Sequence, residues 1–139
     1  MKKLITIILL LFISFSYGQK RELRNANKFY DSGEFSSALD LLESSKVLFD
    51  SSDDKVKSQQ MLLYGKIHTS MQDFSLAMEA FNISKDLGIS SDQLGPELMR
   101  LENLIITNAI ADQESGNSLD AAIKLKMAYD LNPEVNQDY

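Results

Sequence analysis

The sequence predicts an all-α domain of stacked antiparallel helix-turn-helix units, about six helices in all, and three observations carry that expectation. The stretch Gly33 to Ser45 returns in altered form as Gln72 to Phe81 and again as Gly116 to Ala128, each copy reading as a turn followed by a helix. Within every copy an alanine (Ala38, Ala77, Ala121) is followed four residues on by a large apolar side chain (Leu42, Phe81, Leu125) and three further by a small one (Ser45, Ser84, Ala128). Apolar residues elsewhere recur every three or four positions, the period of a helix with one buried stripe, and no strand is apparent.

Taken in order, the chain opens on Lys2 and Lys3, an apolar run from Leu4 to Phe15, and small residues at Ser16 and Gly18. This predicts a signal peptide over residues 1–18, because the run is nearer the roughly 10–14 residues of a signal core than the ~20 of a membrane span. An uncleaved anchor is the alternative. Leu23, Ala26, Phe29 and Tyr30 then mark a helix from Lys20 to Asp31, which Gly33 ends by allowing a left-handed turn. A partner helix is expected over Glu34 to Phe49, closing a first repeat at about 19–52.

Asp50 to Asp54 is dense in N-capping residues and reads as the loop into a helix from Lys55 to Met71. Gln72 and Asp73 replace the glycine turn, and Phe74 to Leu87 completes a second repeat, about 55–89. Gly88 to Gly95 is the longest interruption. A helix is expected to start at Pro96, since proline suits a first turn, and to run to about Gln113. Gly116 closes it, and a final helix from Ser118 to Leu131 stops at Asn132-Pro133, giving a third repeat at about 96–134 and a frayed tail over 135–139.

Composition narrows the function. The formal charge of −6 becomes −8 once Lys2 and Lys3 are removed, which argues against nucleic acid and against anionic membranes as targets. The chain has no Cys, so packing rather than disulfides must hold an exported domain. Nucleophilic or metal chemistry needs converging groups, yet the chain has one His and no Cys. His68 reads as structural, and Asp50, Asp53 and Asp54 lack the glycine and distal glutamate of a calcium loop. No cofactor or metal is expected, and an enzyme is the weaker alternative.

The small-large-small spacing, with Pro133 five residues beyond Ala128, resembles the tetratricopeptide repeat, a 34-residue helix-turn-helix carrying A-x3-F and a terminal proline. The family's glycine and aromatic on the first helix are matched by Gly65 in the middle copy, by Ala26 and Phe29 in the first, and by Ala109 and the ill-fitting Asp112 in the third. Marker alanines lie 39 and then 44 residues apart (38 to 77 to 121), so the loops between repeats are longer than the family's.

The resemblance implies a short right-handed solenoid that binds a peptide or partner protein in a concave groove lined by the first helix of each pair. Carried over one at a time, the groove positions are Leu23, Asn27 and Tyr30, then Gln59, Leu62, Lys66 and Thr69, then Asn103, Ile106, Ile110 and Gln113. Leu62 and Ile106 fit a core role equally well. Chaperone-binding relatives hold a C-terminal carboxylate with a clamp of Lys, Arg and Asn. Here only Asn27 falls on such a position, with Leu23, Leu63 and Thr107 at others, so that clamp is not expected.

The final helix carries more apolar positions than one buried stripe requires, and arrays of this kind normally end in a polar cap. Ile123, Met127 and Tyr129 are therefore expected to dock on a second copy or another protein. The function expected is a non-catalytic protein-interaction module or scaffold, exported to the periplasm of a bacterium, with secretion or anchoring in the inner membrane as the alternatives. The alternative is a subunit of an envelope complex tethered by its N-terminal segment.

Overall fold

The computed structural model describes residues 18–131, and every regular element among them is α-helical. Helix α1 covers 18–31, α2 Phe35–Ser44, α3 Lys46–Asp50, α4 Asp54–Met71, α5 Phe74–Asp86, α6 Ser91–Glu114 and α7 Ser118–Leu131. The expected signal peptide, save its last residue, and the expected tail over 135–139 lie outside the described residues.

One local device ends four of the helices. Gly33, Gln72, Gly88 and Gly116 each take a left-handed backbone, with φ between 65° and 88°. The following N–H then reaches back five residues, Glu34 to the Phe29 carbonyl at 2.9 Å and Asp73 to that of His68 at 2.9 Å, with Ile89 and Asn117 doing the same onto Ser84 and Asp112. This satisfies carbonyls that the helix end leaves unpaired and reverses the chain within two or three residues. Gln72 adopts the conformation without glycine's freedom, which costs about 1 kcal/mol. At the other end of α4, Asp53 is the N-cap, its carboxylate accepting from the Val56 N–H at 2.8 Å.

Two expected boundaries are corrected. The helix expected from Glu34 to Phe49 breaks at Ser45, where ψ turns to 8°, and resumes as the short α3. The helix expected from Pro96 begins five residues earlier, at Ser91, with the proline inside it. Leu94 is the reason, because it is buried in the core and anchors a turn ahead of the proline. Gly95 permits that turn, since a residue before proline is normally pushed out of the α region partly by its Cβ, which glycine lacks.

The helices pack as antiparallel pairs around two apolar clusters. Ala26, Ala38, Leu42 and Phe49 meet Val56, Leu63 and Ile67 of α4 in the first. In the second, Leu62 of α4 joins Phe74, Ala77 and Phe81 of α5, Leu94, Leu101 and Ile105 of α6, and Ala128 of α7. Helix α4 thus gives one side to each cluster.

Its approach to α5 is close. A Cβ on Gly65 would lie 2.8 Å from Phe81 Cζ and nearer still to Cδ1 and Cε1, so only glycine leaves room for that ring. Ser84 of α5 adds a buried hydrogen bond, its hydroxyl donating to the Ser58 carbonyl at 2.7 Å. An ion pair from Lys124 to Asp112 ties α7 to α6, which accounts for an aspartate at the position ill-suited to the resemblance. The small residues Ala26, Gly65 and Ala109 of the first helices are all buried. The third copy departs from the small-large-small rule, because Leu125 is 48% exposed where Leu42 and Phe81 are enclosed.

Candidate interaction surface

Side chains from α1, α4 and α6 meet on one surface, and the stripes that bring them there are readable as helix faces. Gln59, Lys66 and Ser70 lie seven and four residues apart on α4, and Gln93, Glu97 and Arg100 four and three apart on α6, spacings that align side chains on one side. Arg100 bridges all three helices, Nη1 donating to the Tyr30 hydroxyl at 2.8 Å and Nη2 to the Ser70 hydroxyl at 3.0 Å. Lys66 Nζ stands 4.7 Å over the Tyr30 ring, a cation–π distance. Glu97 lies 3.7 Å from Lys66 and 3.9 Å from Arg100, and Gln59 donates to Gln93 at 3.1 Å.

The electrostatics of this cluster are unbalanced. Two cations share one carboxylate through long, partly hydrated pairs, each worth ~0–1 kcal/mol. Arg100 remains 42% exposed, and its two short hydrogen bonds go to neutral hydroxyls. A chain of net charge −6 therefore presents a locally cationic surface with unused donors. Such a surface can accept a carboxylate, for which a guanidinium offers paired N–H groups.

The expected groove residues divide. Tyr30, Gln59 and Lys66 belong to this cluster. Leu23 packs against the first core, and the Asn27 amide is turned back onto the Leu23 carbonyl at 2.9 Å. Leu62 is core and Thr69 is fully buried, its hydroxyl donating to the Gly65 carbonyl, so neither is offered to a partner. On α6, Ile106 packs against the second core while Asn103, Ile110 and Gln113 are exposed, and none of the four takes part in the cluster.

A register error explains that last group. The bonded pair Gln59 and Gln93 is separated by 34 residues, whereas the groove positions on α6 were set 44 beyond those of α4, the spacing of the second helices. The extra ten residues lie farther along α6, which has 24 residues against 18 in α4. Ser70, Gln93, Glu97 and Arg100 were missed for this reason, although their polar stripe was there to be found. At the end of the chain, Ile123 and Tyr129 are exposed, but Met127 packs against the second core. His68 stacks on Tyr64 with ring centroids 6.2 Å apart and lies 3.4 Å from the Asp73 carboxylate.

Among the described residues no group of three or more His, Cys, Asp or Glu is placed to hold a metal ion, and no helix is long and apolar enough to cross a membrane. No family model, curated protein or solved structure matches the chain.

Proposed function

We propose that the protein is a non-catalytic interaction module whose three helix pairs stack as a short tetratricopeptide-like solenoid. Its ligand is a carboxylate-bearing segment of a partner protein, bound on the surface formed by α1, α4 and α6. The observation that carries this reading is the Arg100 bridge, with Lys66 beside it: two cations from consecutive first helices, held in place by neutral hydroxyls and a ring. Ordering these groups before binding reduces the entropy lost on association. Cellular export, and hence an envelope partner, is proposed from the N-terminal pattern alone.

The test is a binding titration with a fluorescein-labelled acidic peptide of ten residues, against the purified protein and a Lys66→Glu/Arg100→Glu variant whose fold is checked by circular dichroism. Binding that falls about 100-fold in the variant supports the surface, since two charge reversals act on the same ligand. Equal binding by both proteins removes it.

The exposed apolar side chains of α7 support a second docking surface. Leu119 is 75% exposed, and Ile123, Leu125 and Tyr129 are each near half. A second copy is proposed as its occupant, and light scattering at high micromolar concentration that finds only monomer rejects this.

A further inference from the structure

On roughly the opposite side of α4, about 150° around the helix from Lys66 at ~100° per residue, an open cavity of about 520 Å³ lies between α2, α3 and α5. Nothing in the proposed function uses it. Leu76, Ala80 and Ile83 line one wall as a single stripe on α5, with spacings of four and three, and Leu76 and Ile83 remain exposed there. Helix α5 buries Phe74, Ala77, Ala80, Phe81 and Ser84, so Leu76 and Ile83 are apolar surface beyond what that burial requires, with Ala80 between them.

Three polar features point to what the cavity accepts. Glu43, Asp50 and Glu79 stand on its border against the single ammonium of Lys46, and none of the three carboxylates forms an ion pair among the described residues. Gln60 lines the cavity at 7% exposure, and its carboxamide has no hydrogen-bond partner among the described residues. No fully buried polar side-chain atom among the described residues lacks a partner, so the carboxamide meets the water of the open cavity and is free to bond a ligand that displaces it. Tyr64 presents a ring beside it. Burial, and then the Glu43 carboxylate, pushes the phenol up to about 12, so it remains a neutral hydroxyl.

We infer that this cavity receives an arginine side chain from a basic amphipathic segment of a partner protein. The aliphatic stem lies along Leu76, Ala80 and Ile83, the guanidinium faces the Glu43, Asp50 and Glu79 carboxylates, and one N–H donates to the Gln60 carboxamide oxygen. A metal ion fits poorly, since these carboxylates do not converge as a ligand set. A purely apolar ligand leaves the amide unmet. Charge complementarity and the unpartnered amide at the cavity wall together select a cation on an apolar stem.

The experiment is fluorescence anisotropy of the purified protein with a labelled 12-residue peptide repeating Leu-Arg-Ala, and with the same peptide carrying citrulline for arginine. Citrulline keeps the stem and hydrogen-bonding shape but removes the charge. The arginine peptide is expected to bind about tenfold or more tighter. Glu43→Gln/Glu79→Gln is expected to abolish that preference, and Gln60→Leu to weaken the arginine peptide about tenfold. Glu34→Gln/Glu114→Gln, which removes two exposed carboxylates that do not line the cavity, is expected to leave the preference unchanged. Glu79 is exposed, so the carboxylate variant tests the site even if Gln60→Leu does not fold.

Equal binding of the two peptides, or no binding of either at millimolar concentration, overturns the inference. So does an unchanged preference in the carboxylate variant, or an equal loss of preference in the Glu34 and Glu114 variant, which reports only overall charge. Agmatine alone binding as tightly as the peptide would replace the protein partner with a small organic cation.

Discussion

Replacing Gly65 by alanine sets two opposing effects against each other, and the structure says which prevails. In a helix interior the change is favourable by about 0.5–1 kcal/mol, because glycine loses more backbone freedom on folding. Against this, the new methyl carbon would meet Cδ1, Cε1 and Cζ of Phe81, the last at 2.8 Å. The ring is 1% exposed and cannot step aside. Helix α5 must move out by on the order of 1 Å, and overpacking of this kind costs about 1–3 kcal/mol and occasionally more.

Because the ring is enclosed, the upper part of that range applies, for a net loss of about 2 kcal/mol. At roughly 4 °C per kcal/mol for a domain of this size, the melting temperature falls by about 8 °C, measured by circular dichroism at 222 nm. Phe81→Leu shortens the obstructing side chain and should cost less in the Gly65→Ala background than alone, a coupling of about 1 kcal/mol. An unchanged or raised melting temperature in Gly65→Ala would refute the close approach of α4 to α5.

Three further outcomes are expected. Gln72→Gly should stabilise the protein by about 0.5–1 kcal/mol in urea unfolding, since glycine takes the left-handed conformation at φ 65° without strain. Asp53→Ala should lose about 1 kcal/mol by the same measurement, the N-terminal N–H groups of α4 then losing their acceptor. Tyr64 acts on the alkaline side: burial, and then the Glu43 carboxylate, push its phenol from the ordinary 10.0 up to about 12, so the unfolded chain releases this proton first as pH rises. Its contribution to stability is complete below pH 10 and is lost between 10 and about 12. Denaturant midpoints measured across that window should fall less in Tyr64→Phe.

Helix ends were legible wherever a residue with special backbone freedom marked them. Gly33, Gly88 and Gly116 stand at turns, and Gln72-Asp73 was recognisable as a turn only by alignment with the other copies. The break at Ser45 carries no such mark; neighbouring Phe49 is drawn into the first core, and the backbone yields at a residue with no distinguishing chemistry. Pro96 misled because proline reads as a helix start, while the burial of Leu94 is a tertiary fact.

The interaction surface was half legible for a related reason. Repeats of unequal length have two registers, one for each set of helices, and only the second helices carried alanine markers. The cavity was not legible, since its members lie on four helices between Glu43 and Ile83 and belong to no motif. Its one sequence signal is the apolar pair Leu76 and Ile83, beyond what the buried face of α5 requires.

The position of α4 between the two clusters has a consequence for how the protein can be divided. Leu62 faces one core while Val56, Leu63 and Ile67 face the other, so a cut on either side of this helix strips apolar surface from the piece that keeps it. Neither half is a spare part. Chimeras that exchange the first or last helix pair need an incoming pair shaped to one flank of α4, whereas additions beyond α7 meet no such constraint. The chain can thus be lengthened at its end more readily than it can be shortened or spliced in its middle.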